Sequence, residues 1–476
     1  MTRPIETRHQ AAKTVFAPAG QTHVFTFWSE LTQNQKEQLL DDLERIDVEQ
    51  LPHWRQLVAG AGPERIASDK IEPATVISRS SISEDIIDHG RSILAAGKVA
   101  ALTVAGGQGT RLGFDGPKGA FPISPVKRKT LFQLFAEAIL ATERRYETRI
   151  PWYVMTSPSN DEQTQAFFSE RRFFGLSPHR VRFFQQGVMP SFDPAGRILL
   201  EEKHRVALSP DGHGGTLLAM AKTGTLADMT ARGIEHISYF QVDNPLVTCL
   251  DPLFIGLHAQ RNADMSSKAV PKADDLECVG NFVVKNGRPA IIEYSNLLDE
   301  FAHARNEDGT RKFDAANIAI HILSRRFVER LTADRTAFAL PWHLAKKKVP
   351  HVDLDTGERV DPAEPNALKL ESFIFDALPL ADHSVLLETS RADEFSPVKN
   401  MTGIDSVETS RRDQNRRAAQ WLETAGLAIP RDEQDEPKGM FEISPLAALD
   451  AVHLKERLGS ESVRLPEAEK DFYLGD

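Results

Sequence analysis

Cysteine is scarce in this chain: Cys249 and Cys278 are its only two among 476 residues. Two are too few for a disulfide framework, and they lack the paired spacing of a structural zinc site, so both read as buried thiols in a reducing compartment. Long apolar runs are missing too. No stretch approaches the roughly 18 apolar residues of a membrane span, and the polar opening MTRPIETRHQ is not followed by the apolar core of a signal peptide. Positive charge is in deficit, with 57 Lys+Arg against 68 Asp+Glu and a net charge of −11. Nothing draws nucleic acid or an anionic membrane to the chain in general, and any anionic ligand must be met locally. A cytoplasmic protein without nucleic-acid or membrane partners is expected. The sequence also holds no HExxH, no kinase HRD set and no nucleophile elbow, which leaves out the corresponding metallopeptidase, kinase and hydrolase chemistries.

What is present is an ordinary globular composition, 41% hydrophobic and 26% charged, in a chain long enough for two or three structural units. Near the start, Thr32 followed by Gln35 forms a capping box, and Leu39, Leu40, Leu43 and Ile46 share one helical face. From Lys98 the pattern changes. KVAALTVAGG, PWYVMTS, VRFFQQG, HISYFQVDN and RPAIIEYS read as strands, separated by helical stretches such as TLFQLFAEAILATERR and GGTLLAMAKTGTLADMTARG. That alternation predicts an α/β domain with a mixed, mainly parallel sheet. One amphipathic stretch, Val407 to Leu422, stands in the charged C-terminal part.

The segment richest in chemistry is GGQGTRLGFDGPKG, Gly106 to Gly119, directly after the first apolar strand. Its glycines let backbone N–H groups approach an anion closely, and Arg111 and Lys118 add two cations, which makes a phosphate cradle. It is neither of the two common phosphate loops. The dinucleotide pattern GxGxxG fails at Leu112, which also counts against a Rossmann oxidoreductase, and the Walker GK[ST] is absent. A second candidate is Asp243 in VDNPLV, a carboxylate at a strand end in a Pro-broken loop. Ligands of open α/β sheets bind at such ends, although an aspartate there also suits an Asx turn or a helix cap.

The glycine loop resembles the nucleotide loop of the UDP-sugar pyrophosphorylases, most closely their UDP-N-acetylhexosamine branch. The likeness continues in order through MTSPSNDEQTQAFF, FFQQGVMPSFD, SPDGHGG, VDNPLV, ECVG, IIEYSNL, NIAIHIL, LPWHLAKKKVP, LESFIFDALP and EFSPVKN, and reaches upstream into FTFWSEL. It implies a Rossmann-like, GT-A-like nucleotidyltransferase domain over 96–400. A helical N-terminal part over 1–95 and a small C-terminal region over 401–476 flank it.

The implied reaction joins UTP and a sugar 1-phosphate to give a UDP-sugar and pyrophosphate, with Mg²⁺ as cofactor. The resemblance casts Arg111, Lys118 and Lys399 as the catalytic cations and Asp243 as the magnesium ligand. Gly106, Gly107, Gln186 and Gly212 fall at positions that meet the uracil and nucleoside. Gly280, Glu293, Tyr294 and Asn317 fall on the sugar side, where carboxylate, phenol and amide groups suit hexose hydroxyls. Phe373 and Phe375, two residues apart and on one face if the segment is a strand, match a pair near the N-acetyl group. His213 departs from the branch, which usually carries Asn there, whereas UDP-glucose enzymes usually read GHGD. The phenylalanine pair tilts the choice back to the acetylated form, so N-acetylglucosamine 1-phosphate is the first choice of sugar, with N-acetylgalactosamine 1-phosphate and glucose 1-phosphate as alternatives, and a silent UDP-sugar sensor is the alternative of another class. The run Lys346, Lys347 and Lys348 reads as a solvated or edge-protecting face.

Overall fold

The computed structural model describes residues 3–60, 71–334, 340–459 and 470–475. The chain divides into two compact units. The larger comprises Ile66–Gln185, Leu217–Phe338 and Ala377–Asp476, the smaller Met1–Arg65, Gln186–Thr216 and Ala339–Asp376.

The larger unit is built on a ten-stranded sheet. Its strands in chain order are β1 (Ile71–Pro73), β2 (Val99–Val104), β3 (Trp152–Thr156), β4 (Val181–Gln185), β5 (His236–Gln241), β6 (Met265–Pro271), β7 (Asn281–Lys285), β8 (Arg288–Ile292), β9 (Ala315–Ser324) and β10 (Ser384–Glu388). The order across the sheet is β1-β7-β9-β5-β2-β3-β4, with β8 on β7, β6 on β9 and β10 on β6. The run β5-β2-β3-β4 is parallel throughout, while β9 joins β5, β6 and β7 antiparallel, so the sheet is mixed. β2 shows why these strands read as unbroken apolar runs. Val99 and Ala101 enter the main core with Phe132, Phe135, Trp152 and Phe240, and Ala100 and Leu102, which point the other way, are buried as well.

The helix Leu131–Arg145 starts where Thr130 accepts a hydrogen bond from the Gln133 N–H at 3.2 Å, and it ends on Arg144 and Arg145, cations suited to the carbonyl end of the dipole. The stretch 214–233, expected to be helical throughout, is broken. Helices run over Thr216–Lys222 and Thr225–Ala231, and Gly224 between them takes φ +75°, a left-handed conformation that ends an α-helix. The amphipathic C-terminal stretch is a helix, Val407–Thr424, opened by a Ser406/Thr409 capping box and packed with Phe441, Leu454 and Phe472 in a core of its own.

In the smaller unit the helix Gln33–Glu44 carries the expected Thr32/Gln35 capping box. Leu39, Leu40 and Leu43 are buried with Phe16, Trp54, Phe192 and Leu370. Its strands include the antiparallel pairs Val188–Pro190 with Leu208–Pro210, and Trp342–Lys347 with Ala367–Ser372. Lys346, Lys347 and Lys348 are all exposed. Among the described residues no helix is long and apolar enough to cross a membrane.

Candidate functional site

In the larger unit the site follows from strand pairing. Val104 at the end of β2 lies between Met155 of β3 and Gln241 of β5 in parallel register. The glycine loop after β2, Ser157 after β3 and Asp243 after β5 therefore emerge side by side at the carboxyl ends of the strands, where open parallel sheets bind ligands.

The loop is pinned from below. Asn160 donates from Nδ2 to the carbonyls of Ala105 (2.9 Å) and Gly107 (3.2 Å), and Ser157 donates from Oγ to the carbonyl of Gly106 (2.9 Å). Both residues are buried, at 1% exposure. With three successive carbonyls held by protein groups, the loop keeps one shape, and Gly107 on its exposed side has nothing nearer to a would-be Cβ than Lys118 Cε at 3.9 Å. The loop then folds back: Gly109 N–H donates to Gly116 O at 2.8 Å and Lys118 N–H to Gly107 O at 3.1 Å. This return brings Lys118 over the glycines, while Arg111 is exposed on a short 3₁₀ turn, Thr110–Leu112.

Lys118 Nζ reaches Asp243 Oδ2 at 3.5 Å, so the two residues singled out separately in the sequence meet. The turn carrying Asp243 is stitched to the segment carrying Lys399. Asn244, 4% exposed, donates to Glu394 O (2.7 Å) and accepts from Ser396 N–H (3.1 Å), and Val398 N–H donates to Asp243 O (2.8 Å). Below that seam Lys268, fully buried, pairs with Asp251 (2.8 Å) and Glu394 (2.6 Å). Burial opposes the charge on Asp251, but Lys268 and Arg79 outweigh it and hold its pKa below the usual carboxylate range. Lys399 itself donates to Asp405 Oδ2 at 2.9 Å. Burial works against its charge, yet Asp405, with Asp243 and Cys278 adding, raises its pKa.

Among the described residues no three His, Cys, Asp or Glu side chains are grouped to hold a metal ion. Asp243 is a single carboxylate at the strand ends, a donor set that fits Mg²⁺, which keeps water and takes substrate phosphates for its other ligands.

Three of the four sugar-side residues converge. Asn281 of β7 pairs with Ile292 of β8 and with Ala316 of β9, so Gly280, Glu293 and Asn317, the next residues, share one end of the hairpin. A Cβ on Gly280 would stand 3.1 Å from Glu293 Oε1 and 3.7 Å from Asn317 Cβ, and Asn317 N–H donates to Gly280 O at 2.8 Å. Tyr294 turns outward in the following turn and is 50% exposed. Cys278, expected to be buried, is exposed; it sits in the loop between β6 and β7, while Cys249 is buried as expected.

The remaining residues belong to the smaller unit. Gln186 is buried. Gly212 has φ +86° and lies so close to Ser372 that a Cβ would be 2.3 Å from its carbonyl oxygen, so both backbone conformation and space demand glycine. Asp211 O accepts from Ser372 N–H (2.9 Å) and Oγ (3.0 Å), locking SPDGHGG onto the end of Ala367–Ser372. Phe373 and Phe375 are not on a strand. The chain leaves the strand at Ser372 and enters a 3₁₀ helix at Ile374, because Gly212 and Gly214 press on the backbone there. Their rings still meet, 5.0 Å apart, and His213 stacks on Phe373 at 5.2 Å. His213 Nδ1 accepts the Ile374 N–H at 3.2 Å, which fixes the neutral ring as the Nε2–H tautomer. Behind Phe373 lies His343, bonded to Asp376 at 2.8 Å.

The sequence alone names no role for Ser157, Asn160, Asn244, His343, Asp376 or Asp405. Ser157 and Asn160 stood inside MTSPSND, whose spacing after an apolar strand was the one available signal.

Residues 54–418 match the family described as UTP--glucose-1-phosphate uridylyltransferase. The chain is 36% identical over 439 residues to UDP-N-acetylglucosamine pyrophosphorylase of Saccharomyces cerevisiae, covering 88% of this chain and 92% of that one. It is 36% identical over 480 residues to UDP-N-acetylhexosamine pyrophosphorylase-like protein 1 of Homo sapiens, covering 94% of each. Its structure is similar to that of the uridine diphosphate N-acetylglucosamine pyrophosphorylase from Trypanosoma brucei, with TM-score 0.84 and 26% identity over 100% of this chain and 99% of that one.

Proposed function

Since this chain belongs to the UTP--glucose-1-phosphate uridylyltransferase family, we propose that it makes UDP-N-acetylglucosamine and pyrophosphate from UTP and N-acetylglucosamine 1-phosphate. The observation that carries the reading is the meeting of Lys118 with Asp243 beside a glycine loop pinned by Ser157 and Asn160. An oxygen of the sugar 1-phosphate attacks the α-phosphorus of UTP in line, and pyrophosphate leaves with the electrons of the broken P–O bond. No protein nucleophile is needed, so the chain contributes positioning and charge.

The exposed N–H side of the glycine loop receives the nucleotide, and Arg111 and Lys118 bind the triphosphate. Lys399 holds the incoming phosphate. Glu293, Asn317 and the backbone at Gly280 meet the sugar hydroxyls, with Tyr294 at the rim. By the resemblance, Gln186 and Gly212 take the uracil side, and Phe373 and Phe375 suit the acetyl group. Mg²⁺, when bound through Asp243 and phosphate oxygens, supplies further neutralisation of the triphosphate. The free thiols Cys249 and Cys278 support a cytoplasmic enzyme.

Pyrophosphate release with UTP, Mg²⁺ and a panel of sugar 1-phosphates, with EDTA as control, tests the reading. Preference for an N-acetylhexosamine 1-phosphate is expected. His213 favours one second reading, a glucose 1-phosphate enzyme, and preference for that sugar would establish it. Silence with every sugar, together with tight UDP-sugar binding, would replace both readings by a sensor.

A further inference from the structure

The two candidate phosphate lysines have separate carboxylates: Lys118 faces Asp243 at 3.5 Å, and Lys399 faces Asp405 at 2.9 Å. We propose that Asp405 is a positioning residue for transfer, holding the Lys399 ammonium off Asp243 and aimed at the phosphate of the incoming sugar. The inference rests on the uridylyltransferase reading and deepens it.

The geometry separates the side chain of Asp405 from its backbone. The short loop from Lys399 to Asp405 is closed without any carboxylate: Asp405 O accepts from Lys399 N–H (2.6 Å) and Asn400 N–H (3.0 Å), Val407 N–H donates to Asn400 O (3.1 Å), and Asn400 Nδ2 donates to Ile404 O (3.1 Å). Asp405 takes φ +51°, a left-handed conformation that aspartate tolerates better than most residues. Asn at this position would keep both that tolerance and the carbonyl. The carboxylate is thus spare for loop closure, and its described bond is the one to Lys399 Nζ.

An isolated surface pair of this kind would contribute about 0–1 kcal/mol and would matter little. Here both groups are partly shielded, with side chains 41% and 32% exposed, and the base of the loop is fastened to the Asp243 turn through Val398. Lys399 lies within electrostatic reach of Asp243 as well. Without the Asp405 carboxylate the ammonium is drawn toward Asp243, the carboxylate that Lys118 and the magnesium ion are to share. With it, each lysine keeps its own counter-charge until phosphate oxygens displace it.

The test is a double-mutant cycle on the full chain with Asp405→Asn and Lys399→Met, read both in steady-state kinetics and in calorimetric binding of UDP-N-acetylglucosamine. Asp405→Asn is expected to lower kcat by about 10- to 100-fold, the scale of a misaimed reacting group, with the KM for UTP within about twofold of wild type. In the Lys399→Met background the same change is expected to cost nothing further, because Asp405 acts through the lysine. Asp405→Glu, which restores the charge, is expected to recover part of the loss. Equal losses in both backgrounds, or a fully active Asp405→Asn enzyme, would overturn the proposal. A wild-type chain silent with every sugar 1-phosphate overturns the functional reading instead, and the binding cycle then still decides Asp405: a non-additive cycle keeps it acting through Lys399, and an additive one removes it.

Discussion

The Lys118 ammonium and the Asp243 carboxylate stand 3.5 Å apart, at the outer limit of a hydrogen bond, on side chains only 17% and 16% exposed. Such a loose, shielded pair neutralises itself in the free protein and opens readily to a more highly charged partner. Lys118→Ala is expected to lower kcat by about 10²- to 10³-fold, the scale seen when one preorganised charge-stabilising group is lost. Uridine binding, measured by calorimetry, should barely change, because the proposed partners of the lysine are the phosphates. Comparable losses in turnover and uridine affinity would remove Lys118 from that role.

Asn160→Ala removes two hydrogen bonds to loop carbonyls and the acceptor for the Ser157 N–H. Leaving buried backbone groups unpartnered costs about 1–3 kcal/mol, so in a chain of this size the melting temperature should drop by about 1–4 °C. The KM for UTP should rise while the KM for the sugar 1-phosphate moves less, since only the loop after β2 is loosened. A variant with a lower melting temperature and an unchanged KM for UTP would show that Asn160 stabilises the fold without shaping the loop.

How much of this was legible depended on whether the signal was local. β2 and its glycine loop could be read because an apolar run closed by glycines is a local pattern, and Asp243 because it follows another such run. The pinning of the loop by Asn160 could not, since it requires knowing that β3 pairs beside β2. Phe373 and Phe375 share a face by their spacing only if the segment is a strand, which it is not; a turn at the close approach of Gly212 and Gly214 brings the rings together instead. Cys278 misled because burial of a lone thiol is decided by the loop that holds it, and cysteine's general preference for interiors says nothing about that loop. The smaller unit draws on three separated segments, a grouping that no window of sequence displays.

Cys278 is exposed, lies two residues before Gly280 and contributes to the electrostatic surroundings of Lys399, whereas Cys249 is 3% exposed and burial pushes its thiol pKa up. Iodoacetamide under native conditions should therefore modify Cys278 alone, since the thiolate is the reactive form and must be reached. Peptide mass mapping checks the selectivity. The modified protein should lose activity, and UDP-N-acetylglucosamine should protect it. Full labelling of Cys278 with full activity would place the β6–β7 loop away from the sugar.

Acid stability should hinge on two histidines in the larger unit. His236 opens β5 and faces the fully buried His258 with ring centroids 5.2 Å apart. Among the described residues His236 Nδ1 and His258 Nε2 have no hydrogen-bond partner. Burial pushes the His236 pKa down from 6.5 to about 4; Glu235 opposes the change, and Arg326, His89 and Lys98 add to it. The His258 pKa also falls, through burial first and then the charge on His236.

Between pH 6.5 and 4 the unfolded chain therefore binds more protons at His236 than the folded one, so the stability that His236 contributes drains away as the pH falls through that window and is fully lost below it. The total from His236 is on the order of 3 kcal/mol, because each tenfold drop in proton affinity on folding is worth about 1.4 kcal/mol. Thermal melts across that range should show the loss, and His236→Gln, which has no charge to acquire, should flatten it. Parallel curves for the variant and the parent would place the acid sensitivity elsewhere in the chain.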